Sequence, residues 1–267
     1  MSGIDAGALS EATPGRPLAW NFASTGQSLL EAYLLSQEIP KSVDLVIYGL
    51  FIRPGPTEDA LHPNKYNTLF MSGFRPNAVT MQTVKDLYSP DITSQLRQSR
   101  VSQIFSSRWA LRQFIDTRSR VLLRPDLAIE KSTHDLLHPQ SYQNPIDPGI
   151  TARFIESRGK LFSKQPPALG AHTTELALRL IEQATRDGRK TMFMFPPIHP
   201  DLLRPHRSTI LAVVRKFEKK LAGIPASHVV DATDLLQSEH FIDDLHPSNE
   251  GARILTEFLA QAIKNNR

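Results

Sequence analysis

Four short apolar runs punctuate the chain: "PLAWNFA" (17–23), "VDLVIYGL" (43–50), "KTMFMF" (190–195) and "HVVDAT" (228–233). Their length and their β-branched and aromatic content predict strands buried on both faces. Amphipathic stretches lie between them. "STGQSLLEAYLLSQEI" carries Leu29, Leu30, Tyr33, Leu34 and Ile39 on one helical face, with Ser24 or Thr25 as the expected cap. "HTTELALRLIEQATRDGRK" repeats the pattern before the third run and ends at Gly188, and "RSTILAVVRKFEKKLAG" links the third run to the fourth. Strands alternating with helices of this length predict a mostly parallel sheet covered on both faces, an α/β fold.

From residue 53 to 168 the pattern changes to proline-rich, polar sequence around one long helical stretch, "DITSQLRQSRVSQIFSSRWALRQFIDTRSRVLL". This predicts a large helical and loop insertion within a single domain spanning residues 1–267. Seven arginines between Arg97 and Arg124 stand against the single Asp116, a pattern that fits an anionic surface and fits a solvated helix face still better.

Composition narrows the function classes. A 40% share of apolar residues fills an ordinary core, and 31 basic against 27 acidic side chains give no argument for a nucleic-acid partner. Without cysteine there is no disulfide, thiolate nucleophile or thiolate-bound metal. No run reaches the ~20 apolar residues of a spanning helix, and "MSGIDAGALSEATPGRPLAW" lacks the pattern of a signal peptide. The sequence has no G-x-G-x-x-G and no P-loop, and no cofactor is expected.

The densest chemistry is "DDLHPSNEG", after the fourth strand and ahead of the apolar pattern "ARILTEFLAQAI". Asp243 and His246 stand three apart. On a tight turn this spacing lets the carboxylate accept the imidazole Nδ1 hydrogen, so that Nε2 is the nitrogen that takes a proton. Pro247 suits a first helical turn, Ser248 or Asn249 a cap, and Gly251 close packing. A capped helix start with a surface histidine would use the same letters. The parallel sheet adds weight to the acid–base reading, because ligand sites in such folds gather beyond the carboxyl ends of the strands.

These residues resemble the final block of the SGNH (GDSL-like) hydrolases, where D-x-x-H supplies the acid and base of a Ser-His-Asp triad. "WNFASTGQS" resembles the family's second block, with Asn21 after a strand and Gly26 as an oxyanion-hole N–H donor. "MFMFPPIHPDLL" and "HVVDATDLL" are similar to bacterial cell-envelope members of the superfamily. The resemblance covers about residues 1–50 and 170–263, and leaves the insertion out. It implies a three-layer α/β/α, flavodoxin-like fold and acyl transfer, as an acyl esterase or O-acyltransferase. It further implies an acylated carbohydrate or small ester as substrate and a place in the cell envelope or periplasm.

Two departures from the family stand out. In "YGLFIRPG" Gly49 is present, but Phe51 takes the position of the family's oxyanion-hole asparagine. The block that carries the nucleophile, a strand ending in G-D-S or G-S-S, occurs nowhere, and the opening "MSGIDAGALSEA" resembles the segment downstream of that block. A first strand missing from the sheet and an inactive chain, or a start codon assigned too late, are the expectations; a non-catalytic binding or assembly protein of the same fold is the alternative. Ser2, Ser24 and Ser28 lack the surroundings of a nucleophile. "HDLLH" puts His134 and His138 one helical turn apart with Asp135 between them and Glu156 as the nearest third ligand, a spacing close to that of zinc peptidases. Pro139 stops any helix at the second histidine, and no metal is expected there. His199, between prolines in "PPIHPD", reads as a turn residue at the carboxyl end of the third strand.

Overall fold

The computed structural model describes residues 4, 6–13, 15, 19, 28–56, 77–101 and 148–266. In chain order the elements are α1 (Ala6–Ala12), α2 (Leu29–Leu35), β1 (Leu45–Gly49), β2 (Arg53–Pro54), α3 (Ala78–Leu87), α4 (Pro90–Val101) and α5 (Pro148–Lys164), then β3 (Pro167–Ala168), α6 (Thr173–Arg186), β4 (Lys190–Phe195), α7 (Pro200–Leu221), β5 (Ser227–Asp231) and α8 (Asn249–Asn265). They fall into two compact units, one of residues 1–23, 39–59 and 142–267, the other of residues 24–38 and 60–141. The expected strand over 17–23 lies outside the described residues except for Ala19, as does the long helical stretch beyond Val101.

The first unit is built on a three-stranded parallel sheet in the order β1-β4-β5. Ile47 lies opposite Met192 and Tyr48 opposite Phe193, while on the other side Met192 pairs with His228 and Met194 with Val230. β4 is central, and its alternation sorts side chains between two faces. Met192 and Met194 join Val230 of β5 under Leu9 of α1 and Leu255, Leu259 and Ile263 of α8. Phe193 and Phe195 point the other way, each set edge-on to Phe217 of α7 with ring centroids 5.6 Å apart. Tyr48 stacks on Phe193 from β1. The sheet is therefore flanked by helices on both faces, which explains why its strands read as unbroken apolar runs. Among the described residues, β1 pairs with β4 alone.

β2 and β3 form a two-residue antiparallel ribbon, Arg53 against Ala168 and Pro54 against Pro167. Gly55 turns out of it at φ +70°, where a Cβ would run into the Gln165 side chain. α5 packs on α7, with the Phe162 ring 5.4 Å from that of His206.

The ends of α6 and α7 follow local chemistry. α6 ends before Gly188, whose φ of +74° is the left-handed turn expected of that glycine. α7 begins at Pro200, ahead of the expected "RSTILAVV" start, because His199 caps it and Pro200 fits its first turn. Pro205, inside α7, had masked that first turn in the sequence.

In the second unit α2 starts at Leu29, and its cap is Ser28 rather than Ser24 or Thr25. The reason is a reciprocal box: the Glu31 N–H donates to Ser28 Oγ at 3.2 Å and the Ser28 N–H to Glu31 Oε2 at 2.9 Å. Tyr33 of α2 donates its hydroxyl to Thr83 of α3 at 2.9 Å. Among the described residues no helix is long and apolar enough to cross a membrane.

Candidate functional site

Asp243 and His246 sit on a small closed loop between β5 and α8. Phe241 and Pro247 face each other across an antiparallel bridge, the Ile242 N–H donates to the His246 carbonyl at 2.9 Å, and the Ser248 N–H donates to the His240 carbonyl at 2.8 Å. Ser248 then caps α8, accepting from the Gly251 N–H, so Pro247 stands ahead of the cap and outside the first turn where the sequence had suggested it. Gly251 is buried against the loop, and a Cβ there would collide with the His240 carbonyl oxygen.

The loop tip makes the acid–base contact foreseen from the spacing. His246 Nδ1 lies 2.6 Å from Asp243 Oδ2, while Asp243 Oδ1 accepts the N–H groups of Leu245 and His246 at 2.7 Å each. A carboxylate held by two backbone donors is an acceptor only, so the proton of the shared contact belongs to Nδ1 and Nε2 is the basic nitrogen of the neutral ring. Burial pushes the Asp243 carboxyl up. The hydrogen bond from His246, the two backbone N–H groups and the imidazole charge together outweigh burial and hold it below the ordinary aspartate value. The His246 side chain keeps 31% of its surface exposed against 11% for Asp243, so the imidazole opens outward and the carboxylate does not.

The next residue, Asp244, is also buried, and accepts a 2.6 Å hydrogen bond from Arg158 Nε of α5. Arg158 and Asp244 are 86 residues apart, and no local pattern in the sequence pointed to the pair. His199 is a buried capping residue, its Nδ1 accepting from the Asp201 N–H at 3.3 Å and its ring 5.1 Å from that of Phe241 under the loop. Burial pushes its pKa down, against the opposing pull of Asp201, Asp244 and Asp243.

Gly26 and Asn21 lie outside the described residues, as do Ser2, Ser24, His134, Asp135 and His138. Glu156 is exposed on α5 and pairs with Lys160 at 2.6 Å. Among the described residues no three histidine, aspartate or glutamate side chains gather as a metal site. Phe51 is 41% exposed where β1 leads out of the sheet. Compared with known proteins, the chain matches no family model and no curated protein.

These shifts predict how acid acts on the fold. A histidine whose folded pKa is depressed binds fewer protons folded than unfolded, so its stabilisation is present above the unfolded value of about 6.5 and is lost as pH falls below it. Asp243 acts later, its contribution lost only as pH drops below the ordinary aspartate value of about 3.9. Urea midpoints are therefore expected to fall between pH 7.5 and pH 5.5, and His199→Gln is expected to flatten that fall. An unchanged slope in the variant would assign the effect elsewhere.

Proposed function

We propose that the chain carries the base and acid of a serine-type acyl-transfer site on an SGNH hydrolase-like fold, three-layered with an insertion. The observation that carries this reading is the His246–Asp243 contact, with its carboxylate locked by two backbone N–H groups, beyond the carboxyl ends of a parallel sheet. His246 Nε2 would take the proton of an attacking serine hydroxyl and return it to the leaving group. Asp243 would hold the ring and stabilise the imidazolium, and Gly26 would supply an oxyanion N–H. The substrate class is an ester of an acylated carbohydrate or of a small acyl group in the cell envelope. The family-type serine block is not in this sequence, so the chain on its own is expected to lack covalent turnover.

A second reading, a non-catalytic binding or assembly protein of the same fold for envelope polysaccharide modification, is favoured by one observation: exposed Phe51 in place of an oxyanion donor. Reading the coding DNA in frame ahead of Met1 separates the two. A strand-like segment ending in Gly-Asp-Ser or Gly-Ser-Ser completes a triad, and an immediate stop codon leaves the binding reading.

The acid–base pair itself is tested on the 267-residue chain. A low-field imidazole N–H proton resonance is expected from His246 and is expected to vanish in Asp243→Asn. Hydrolysis of p-nitrophenyl acetate is expected to be no faster than in His246→Ala, and clear His246-dependent turnover would overturn the view that the serine is missing.

A further inference from the structure

α5 buries one apolar edge and leaves a second at the surface. Phe162 is buried where the helix meets α7, with half-buried Ile155 seven residues before it on the same side. Ile150, Phe154 and Leu161 follow one another at spacings of four and seven, so at 3.6 residues per turn they fall within about 40° of arc on another side. They keep 43%, 50% and 51% of their surface exposed. Arg158, the next position around the helix, lines a small cavity together with Phe51 and Leu245, which are exposed as well. Of the exposed large apolar side chains among the described residues, Val79 alone lies outside this region. A single exposed apolar side chain is ordinary, but five gathered about one helix mark a surface with a partner.

The charges beside the stripe decide what that partner is. Arg153, Lys160 and Lys164 recur at spacings of seven and four, which makes a second row about 80° around the helix from the first. All three are exposed, and the one carboxylate of α5, Glu156, pairs with Lys160. Arg158 stands apart from the row because Asp244 neutralises it. Three cations against one carboxylate leave the row a net charge of +2 beside the apolar stripe. A second copy of the chain would bring like charges together. A groove for a partner helix is concave, whereas this surface is the convex side of a helix. A nucleic-acid backbone would use the cations and leave the stripe in water. An anionic lipid surface takes both parts at once: the apolar side chains sink below the headgroups, and the long basic side chains reach back up to them.

We infer that α5 is a membrane-docking helix that lies flat on an anionic lipid surface, with Ile150, Phe154 and Leu161 inserted and Arg153, Lys160 and Lys164 on the headgroup phosphates. The attachment is peripheral: the stripe runs about 16 Å along the helix axis, and the buried edge stays on α7. Leu245 adjoins His246, so its place beside Arg158 brings the Asp243–His246 loop to the same lipid surface. The inference stands whether or not His246 takes part in acyl transfer.

The test uses the whole chain, which has no cysteine, so a single introduced cysteine carries a polarity-sensitive fluorophore at one known position. The label at Leu161→Cys is expected to shift to the blue on vesicles of phosphatidylcholine with about one-third phosphatidylglycerol, while the label at Ser163→Cys, exposed across the helix, keeps its spectrum. The unlabelled parent is expected to co-sediment with those vesicles and to bind pure phosphatidylcholine at least about tenfold more weakly, with a similar loss between about 0.1 M and about 1 M salt. Phe154→Gln/Leu161→Gln is expected to weaken binding at least about tenfold, and Arg153→Gln/Lys160→Gln/Lys164→Gln to lower it to the neutral-vesicle level or below. Every substituted side chain is exposed, so the fold tolerates these changes. No binding to the anionic vesicles, equal binding to neutral ones, an unshifted Leu161 label on bound vesicles, or a dimer in sedimentation velocity that Phe154→Gln/Leu161→Gln dissociates would each overturn the proposal. His246→Ala is expected to bind the vesicles as the parent does, which keeps this result separate from the fate of the acyl-transfer reading.

Discussion

Phe217→Ala is expected to lower the unfolding free energy by about 3–5 kcal/mol, the range for truncating a fully buried aromatic ring. The ring is 2% exposed and lies edge-on to both Phe193 and Phe195 at 5.6 Å, so its removal takes away two aromatic contacts as well as buried area. The cavity would lie between the central strand and α7, where neither can collapse without pulling β4 out of register with β1 and β5. Urea denaturation followed by circular dichroism measures the loss. Phe217→Leu, which keeps most of the volume, is expected to lose about 1–2 kcal/mol. A loss below about 1 kcal/mol for the alanine variant would mean that α7 does not close this face of the sheet.

What could be read from the sequence, and what could not, divides by the range of the interaction. β4 was legible to the residue because every position from Thr191 to Phe195 is buried, and a strand covered on both faces leaves an unbroken apolar run. The contact between Asp243 and His246 was legible because it is local: three residues and a turn suffice to bring Oδ2 to Nδ1. The cap of α2 was misjudged although it is local too. Ser24 and Thr25 are as good cap types as Ser28, and only the Glu31 side chain, returning to the Ser28 N–H, decides among them. The early start of α7 was hidden by Pro200 and Pro205, which read as loop residues until His199 is seen to cap the helix.

Arg158 belongs to the other class. Its partner is brought to it by the packing of α5 on α7 and the closure of the loop before α8, and nothing near "IESRGK" announces either event. The ion pair also gives the insertion boundary a role. The sequence pattern sets residues up to 168 apart as an uncovered insertion, yet α5 and β3, its last elements, belong to the same compact unit as the sheet, and α5 supplies the Arg158 partner of Asp244. The Asp243–His246 contact was thus visible in one nine-residue string, whereas the Arg158–Asp244 pair joins a helix and a loop that meet only in the folded chain.

Gly251→Ala is expected to destabilise the protein by about 2–3 kcal/mol, although helix propensity alone would favour alanine over glycine by about 1 kcal/mol. The sign turns on one contact. Gly251 is the third residue of α8, and a Cβ there would lie well inside contact distance of the His240 backbone carbonyl oxygen, with the Pro247 Cβ 3.1 Å away. A backbone carbonyl cannot rotate aside as a side chain can, so either α8 lifts off the loop or the loop itself shifts. Either movement strains the Ser248 N–H bond to the His240 carbonyl and the bridge between Phe241 and Pro247, which together hold the ends of the Asp243–His246 segment. The variant is therefore expected to lose the low-field imidazole proton along with stability, while Gly159→Ala, at a helical glycine with open space around it, leaves that resonance in place. An alanine variant at 251 as stable as the parent and keeping the resonance would mean that the loop does not rest on α8 and that the geometry of His246 is set by its own turn alone.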